Sequence, residues 1–169
     1  LLSAGSVFAH ADITRIVVAF PPGGPVDFIA RTLAQQLSKE LNQNVIVENK
    51  PGANGAIAAD SVIRSTPDGK TLWLTSVGAV AINPSLYPKL SYKPTTDLVP
   101  VSLVVNNVEM LVVSPKASYK NGADFIEAAK KSKDKPLTMA SSGTGSVPHL
   151  AAIQVNESAG VNLLHVPYK

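Results

Sequence analysis

The sequence predicts an α/β protein built as two successive units, and three observations carry that prediction. Apolar, β-branched runs alternate with segments whose apolar residues recur at helical spacing. In each half a strand leads into a glycine loop and then a helix start, at AFPPGGPVDFIAR (residues 19–31) and SSGTGSVPHLAA (residues 141–152). Between the halves the rhythm breaks, in a Pro- and Thr-rich stretch from Leu90 to Pro100 followed by two closely spaced apolar runs.

Taken in order, Ile13 to Phe20 is a nearly continuous apolar run and reads as a buried strand. After the Pro-Gly loop, Val26, Ile29, Ala30, Leu33, Leu37 and Leu41 recur at helical spacing. Pro25 suits the first helical position, and Asp27 in the first turn complements the helix dipole. Asn44 to Glu48 is a second strand, Asn49 to Gly55 a turn, and an Ala-rich helix follows to about Ser65. Pro67-Asp68-Gly69 turns the chain into a third strand, Thr71 to Thr75, and the alternation points to a parallel sheet. Gly78 to Tyr87 is a loop or short helix.

Val101 to Val105 and Met110 to Val113 read as two strands of hairpin type, with Val99 to Asn106 as the crossover and hinge between units. Asn121, with Asp124 three residues on, caps a helix that runs to Lys133. Leu137 to Ala140 is a short strand, and Ser141 to Ser146 a glycine loop. A helix from Pro148 to about Ser158 closes at Gly160, and Val161 to Val166 is the last strand. The expected division is 12–100 for the first unit and 101–169 for the second, which is incomplete.

Residues 1–11 read as the tail of a signal peptide, an apolar stretch ending in the A-x-A site Ala9-His10-Ala11. Cleavage after Ala11 leaves Asp12 first, and the stretch is too short to span a membrane. The chain ends at His165-Val-Pro-Tyr-Lys169 without a terminating element, so truncation at both ends is expected.

Of the 169 residues, 45% are hydrophobic and 16% charged, which suits a folded core and excludes a disordered chain. The net charge of +3 is mild. Six of the fifteen Lys and Arg residues fall between Lys116 and Lys135, but aromatic residues are few there and no nucleic-acid motif accompanies them, so they read as a solvated face. Nucleic acid is not an expected partner. With no cysteine there is no disulfide framework or thiolate metal site, and no cofactor is expected.

Pro21 to Pro25 lacks the G-x-x-x-x-G-K-[ST] pattern of a phosphate loop. Gly143-Thr-Gly145-Ser-Val-Pro148 begins like a dinucleotide fingerprint, but Pro148 replaces the third glycine. What both loops offer is backbone N–H groups at a helix start without a strong local cation. That suits a carboxylate, often with water as intermediary. Either loop alone reads as an ordinary turn; one in each half favours binding. Ser146 and His149 could serve a hydrolase, but there is no G-x-S-x-G elbow and no acid placed to orient the histidine. Histidines at 10, 149 and 165 have no metal spacing. His149, at a helix N-terminus, suits a neutral hydrogen-bonding role, His165 a structural one, and Asp27–Arg31 a surface pair.

Five motifs occur in one order: AFPPGGPVDFIAR, VENKPGANGAIAAD, AINPSLY, SSGTGSVPHLAA and AGVNLLHVPYK. Together they resemble the extracytoplasmic solute receptors of the tripartite tricarboxylate transporter family, the Bug-type receptors. The resemblance covers Ile13 to Lys169 and implies a type II periplasmic-binding-protein fold, two α/β lobes closing on a small organic anion. Family members are longer, continuing past HVPYK with a glycine and the rest of the second lobe. By position, Pro22, Gly23, Gly24 and Asp27 are implied to hold the proximal carboxylate, partly through water. Ser76, Val77, Gly78 and Ala79 line the same cleft. Ser141, Ser142, Gly143, Thr144 and His149 take the ligand's other end, with Tyr168 beside them.

The implied function is a monomeric periplasmic receptor that delivers a di- or tricarboxylate, aromatic acid or amino acid to integral-membrane transporter subunits without catalysis. A sensory receptor for the same ligands and a Ser/His hydrolase are the alternatives. The motifs belong to the whole family and select no ligand.

Overall fold

β1 (Ile13–Val18) is the centre of a three-stranded parallel sheet of order β2-β1-β3, with β2 at Asn44–Asn49 and β3 at Thr71–Leu74. Residues 13–132 and 134–168 are described by the structure, a computed structural model. The expected signal remnant and its cleavage site lie outside them.

β1 is buried on both faces, which explains its unbroken apolar run. Ile16 and Val18 point to α1 (Pro25–Leu41), where Ala30 and Ala34 pack with Leu33 and Leu37. Val17 and Ala19 point the other way, to Ala58 and Val62 of α2 (Ala56–Ile63) and to Trp73. A one-residue slip of β1 would exchange these two sets, so the two helices fix its register. After β3 a π-helical turn (Gly78–Ile82) runs into α3 (Asn83–Leu86), and α4 (Pro94–Asp97) is a single turn.

The second sheet pairs β4 (Thr138–Ser141) with β5 (Leu164–Pro167) in parallel. Phe125 and Ala129 of α5 (Gly122–Lys131) pack on Leu163, Met139 and Val155, the last from α6 (Val147–Ala159). Asn121 caps α5 as the sequence predicts, accepting the Asp124 N–H at 2.9 Å.

Two expectations need correction. The strands expected at Val101–Val105 and Met110–Val113 do not form, and residues 98–113 carry no regular secondary structure. Val99, Val101 and Leu103 are 86%, 83% and 76% exposed. Apolar β-branched residues specify a segment that pairs well, but pairing needs a partner strand, and neither described sheet offers its edge here. The last strand begins at Leu164 and not Val161 because the Asn156 side chain holds Leu163. Its Oδ1 accepts the Leu163 N–H at 2.9 Å and its Nδ2 donates to the Leu163 carbonyl at 3.4 Å. Residues 161–163 are thereby part of the turn out of α6.

Candidate functional site

From β1 the chain crosses to β2 on one side, then back past β1 to β3 on the other. The loops after β1 and β3 therefore diverge at the carboxyl edge of the sheet, the position at which open α/β sheets bind ligands. The loop after β1 carries Pro22, Gly23 and Gly24, and the loop after β3 carries Ser76, Val77, Gly78 and Ala79. Both groups of predicted residues thus leave the same edge of the sheet, with Gly78 and Ala79 buried and Pro22, Gly23 and Val77 exposed.

Asp27 is turned inward. Its side chain is 4% exposed, and it makes no mere surface pair with Arg31. Oδ2 accepts the Arg31 Nε–H and the Gly23 N–H, each at 2.9 Å, and Oδ1 accepts from Asn49 Nδ2 at 2.9 Å. Asn49 also donates to the Phe20 carbonyl at 3.1 Å and accepts from Arg31 Nη2 at 3.2 Å. The carboxylate therefore ties β2, α1 and the glycine loop together, and a direct ligand contact is not open to it. Its hydrogen bonds from Arg31, Gly23 and Asn49 hold its pKa far below the usual carboxylate range.

A depressed acid adds stability above the unfolded carboxylate value, near pH 4, and that stability is lost as pH falls toward the folded value. Asp27→Asn is accordingly expected to lower Tm at pH 7 and to remove part of the wild type's loss of Tm below about pH 4. Thermal melts across that range check this. With Gly23 engaged on Asp27 and Arg31 neutralised, the donors left at this helix start are the backbone N–H groups of Gly24, Val26 and Asp27.

The turn after β2 contributes residues that the sequence reading did not place in the site. Gly55 sits between Ala19 and Ala79, so this turn crosses the end of β1 to reach the β3 loop. Asn54 Nδ2 donates to Asn83 Oδ1 at 2.6 Å, and Asn83 Nδ2 donates to the Asn54 carbonyl at 3.0 Å and to the Tyr92 hydroxyl at 3.1 Å. Tyr92 donates onward to the Ala79 carbonyl at 2.6 Å. Asn83 is fully buried, and this network fixes the Ser76–Ala79 loop from behind. The motifs VENKPGANGAIAAD and AINPSLY held these residues, but their pairing spans 29 positions and has no local sequence signal.

The second glycine loop follows β4 at the carboxyl edge of its own sheet, with Tyr168 after β5 beside it. The Tyr168 N–H donates to the Ser141 carbonyl at 2.9 Å. Much of the loop is bonded internally. The Gly143 N–H donates to Ser141 Oγ at 3.1 Å, and the Ser146 N–H to the Gly143 carbonyl at 3.2 Å. The Gly145 N–H donates to His149 Nδ1 at 3.1 Å. Ser141 is buried, and its hydroxyl is 2.6 Å from His165 Nε2. Ser142 and Thr144 are exposed, and they remain the outward donors of the loop.

Ser146 is the N-cap of α6. Its hydroxyl donates to the Gly143 carbonyl at 2.7 Å and accepts the His149 N–H at 3.4 Å, so it forms no hydroxyl–imidazole pair with His149. The His149 ring stacks on His165, with centroids 4.0 Å apart. Burial, then the neighbouring His165, lowers the His149 pKa, which favours the neutral ring. Among the described residues no cluster of three or more His, Cys, Asp or Glu is placed to hold a metal ion.

The two carboxyl edges meet. Gly145 lies against Leu86, Asn54 and Tyr87 of the first unit, and the Tyr87 hydroxyl is 3.5 Å from the Thr144 carbonyl. The loops after β1, β2 and β3 all leave the same edge of the first sheet, so the second loop approaches the edge that carries Gly23 and Gly24.

Residues 29–169 match the tripartite tricarboxylate transporter family receptor. The chain spans about half the length of the curated relatives it matches: 90% of it aligns with 45% of one at 38% identity, and 92% with 48% of another at 39%. Among solved structures it is similar to Rpa4515 of Rhodopseudomonas palustris with adipate, at TM-score 0.86 and 32% identity over 92% of this chain and 52% of that one. It is also similar to the periplasmic binding protein BugD, at 0.75 and 36% over 93% and 52%. A third is MatC of Rhodopseudomonas palustris with bound malate, at 0.74 and 30% over 92% and 53%. The two parallel sheets are those of the bilobed type II periplasmic-binding-protein fold.

Proposed function

This chain belongs to the tripartite tricarboxylate transporter receptor family, and from that premise we propose that it captures a small organic carboxylate in the periplasm and delivers it to membrane transporter subunits. It acts as a monomer and does no chemistry on the ligand. The observation that carries the reading is that the second glycine loop, at Gly145, lies against Asn54, Leu86 and Tyr87 beside the carboxyl edge of the sheet from which the first glycine loop leaves. Neutral donors at helix starts, without a dedicated cation, suit a carboxylate better than a phosphate. Adipate and malate, bound by two structural neighbours, are both small dicarboxylates.

In this reading residues 12–100 form the first lobe and 101–169 belong to the second, with the hinge at Val99–Asn106. Pro22, Gly24 and the Ser76–Ala79 loop hold the proximal carboxylate, and Ser142 and Thr144 meet the distal end. Asp27, Ser141 and Gly143 act behind them by fixing the loops, and Tyr168 flanks the second loop. Calorimetry with adipate, malate, aromatic acids and amino acids is expected to give one-to-one binding for one of these classes. No binding by any of them at millimolar concentration contradicts the proposal.

Export completes the reading. The Ala9-His10-Ala11 site places cleavage after Ala11. Mass spectrometry of the exported protein is expected to find Asp12 first, and a mature chain that keeps Leu2 argues against the site.

A further inference from the structure

We infer that His149 is a pH-sensitive positioning residue: while neutral it holds the second glycine loop through the Gly145 N–H, and when protonated it lets that loop go. Three helices use the same device at their starts. In each, the third helical residue accepts the N–H of the residue before the N-cap. In α1 Asp27 takes the Gly23 N–H at 2.9 Å, in α5 Asp124 takes the Lys120 N–H at 3.1 Å, and in α6 His149 takes the Gly145 N–H at 3.1 Å. The first two acceptors are carboxylates. The third is an imidazole nitrogen, which accepts only while it carries no proton.

The two glycine loops therefore differ in kind. The first is fixed by an acid whose pKa its hydrogen bonds hold far below the usual carboxylate range. The second is fixed by a group whose free form titrates near neutral pH. Around His149, the α6 N-terminus opposes positive charge and His165 of β5 stacks on the ring. Ser141 of β4 bonds His165, Tyr87 reaches the Thr144 carbonyl, and the Tyr168 backbone borders Gly143. Among the described residues no carboxylate, lysine or arginine pairs with either imidazole.

These surroundings favour the neutral ring, so the latch is closed at neutral pH and fails as pH falls through the lowered His149 value. Because Gly145 faces Leu86, Asn54 and Tyr87, its release loosens the contact between the two carboxyl edges. The consequence for ligand retention rests on the receptor reading: acid weakens the second loop's grip and leaves the first intact.

The test is an NMR titration of the full chain with 15N-labelled histidine and glycine, from about pH 8 to about pH 5. At neutral pH the His149 ring is expected as the Nε2–H tautomer. The Gly145 amide is expected to move in step with that ring, with a midpoint below the ordinary histidine value. In His149→Asp, which installs the acceptor used in α1, the Gly145 amide is expected to hold its position across the range. In His149→Phe it is expected to be displaced at every pH. A neutral ring in the Nδ1–H tautomer, or a Gly145 amide that ignores the titration of His149, overturns the proposal. The readout needs no ligand, so it stands apart from the calorimetry that tests the receptor reading.

Discussion

Gly24→Val is expected to weaken carboxylate binding by about 10- to 100-fold or more, the worth of one hydrogen bond to a charged group, while leaving the fold in place. The backbone at Gly24 (φ −81°, ψ 171°) is one that any residue adopts. A Cβ there would meet only the Pro21 carbonyl, at 3.6 Å, an ordinary contact. Stability should fall by no more than the N-cap preference against valine, about 1 kcal/mol. The loss of binding then comes from the side chain filling the space through which a carboxylate reaches the Gly24 and Val26 N–H groups. Gly23→Val is the contrast: Gly23 has φ +83°, so its replacement strains the loop and damages fold and binding together. Calorimetry beside a thermal melt separates the two, and unchanged affinity in Gly24→Val rejects the first loop as a binding element.

Gly145→Val is expected to be the most damaging change in the second loop, because it acts twice. Gly145 has φ +81°, a left-handed conformation that costs a branched residue about 1–2 kcal/mol. Its Cβ would also run into Leu86 of the first lobe, so the carboxyl edges cannot approach as they do here. Ligand affinity should drop by more than about 10-fold, with a modest fall in Tm. Adding Leu86→Ala removes the obstacle but not the strain, so the double variant should recover part of the affinity and little of the Tm. Additive losses in the double variant contradict a direct Gly145–Leu86 contact.

The first sheet was legible in the sequence because each of its signals is local. The run ITRIVVAF, Pro25 opening α1 and the turn at Pro67-Asp68-Gly69 each act within a few residues, and the structure places β1, α1 and β3 as those signals direct. The glycine loops were legible for the same reason. What they do internally was not. Whether Asp27 points to a ligand or to Gly23, Arg31 and Asn49 depends on β2, which lies 22 residues away from it at Asn49. Ser141 reads as an outward serine until His165, 24 positions on, is brought beside it. The residues at 101–105 and 110–113 show the opposite failure. Their pattern describes what a strand needs to bury, and among the described residues no partner strand stands beside them.

In the proposed receptor, two helix-start loops hold a carboxylate without a cation. A structure of the protein with a carboxylate identified by calorimetry is the decisive experiment. One carboxylate oxygen is expected within about 3 Å of the Gly24 or Val26 N–H, or joined to it through a single water, and the ligand's far end at Ser142 and Thr144. A ligand paired with a lysine or arginine elsewhere, with both loops empty, would contradict the proposal.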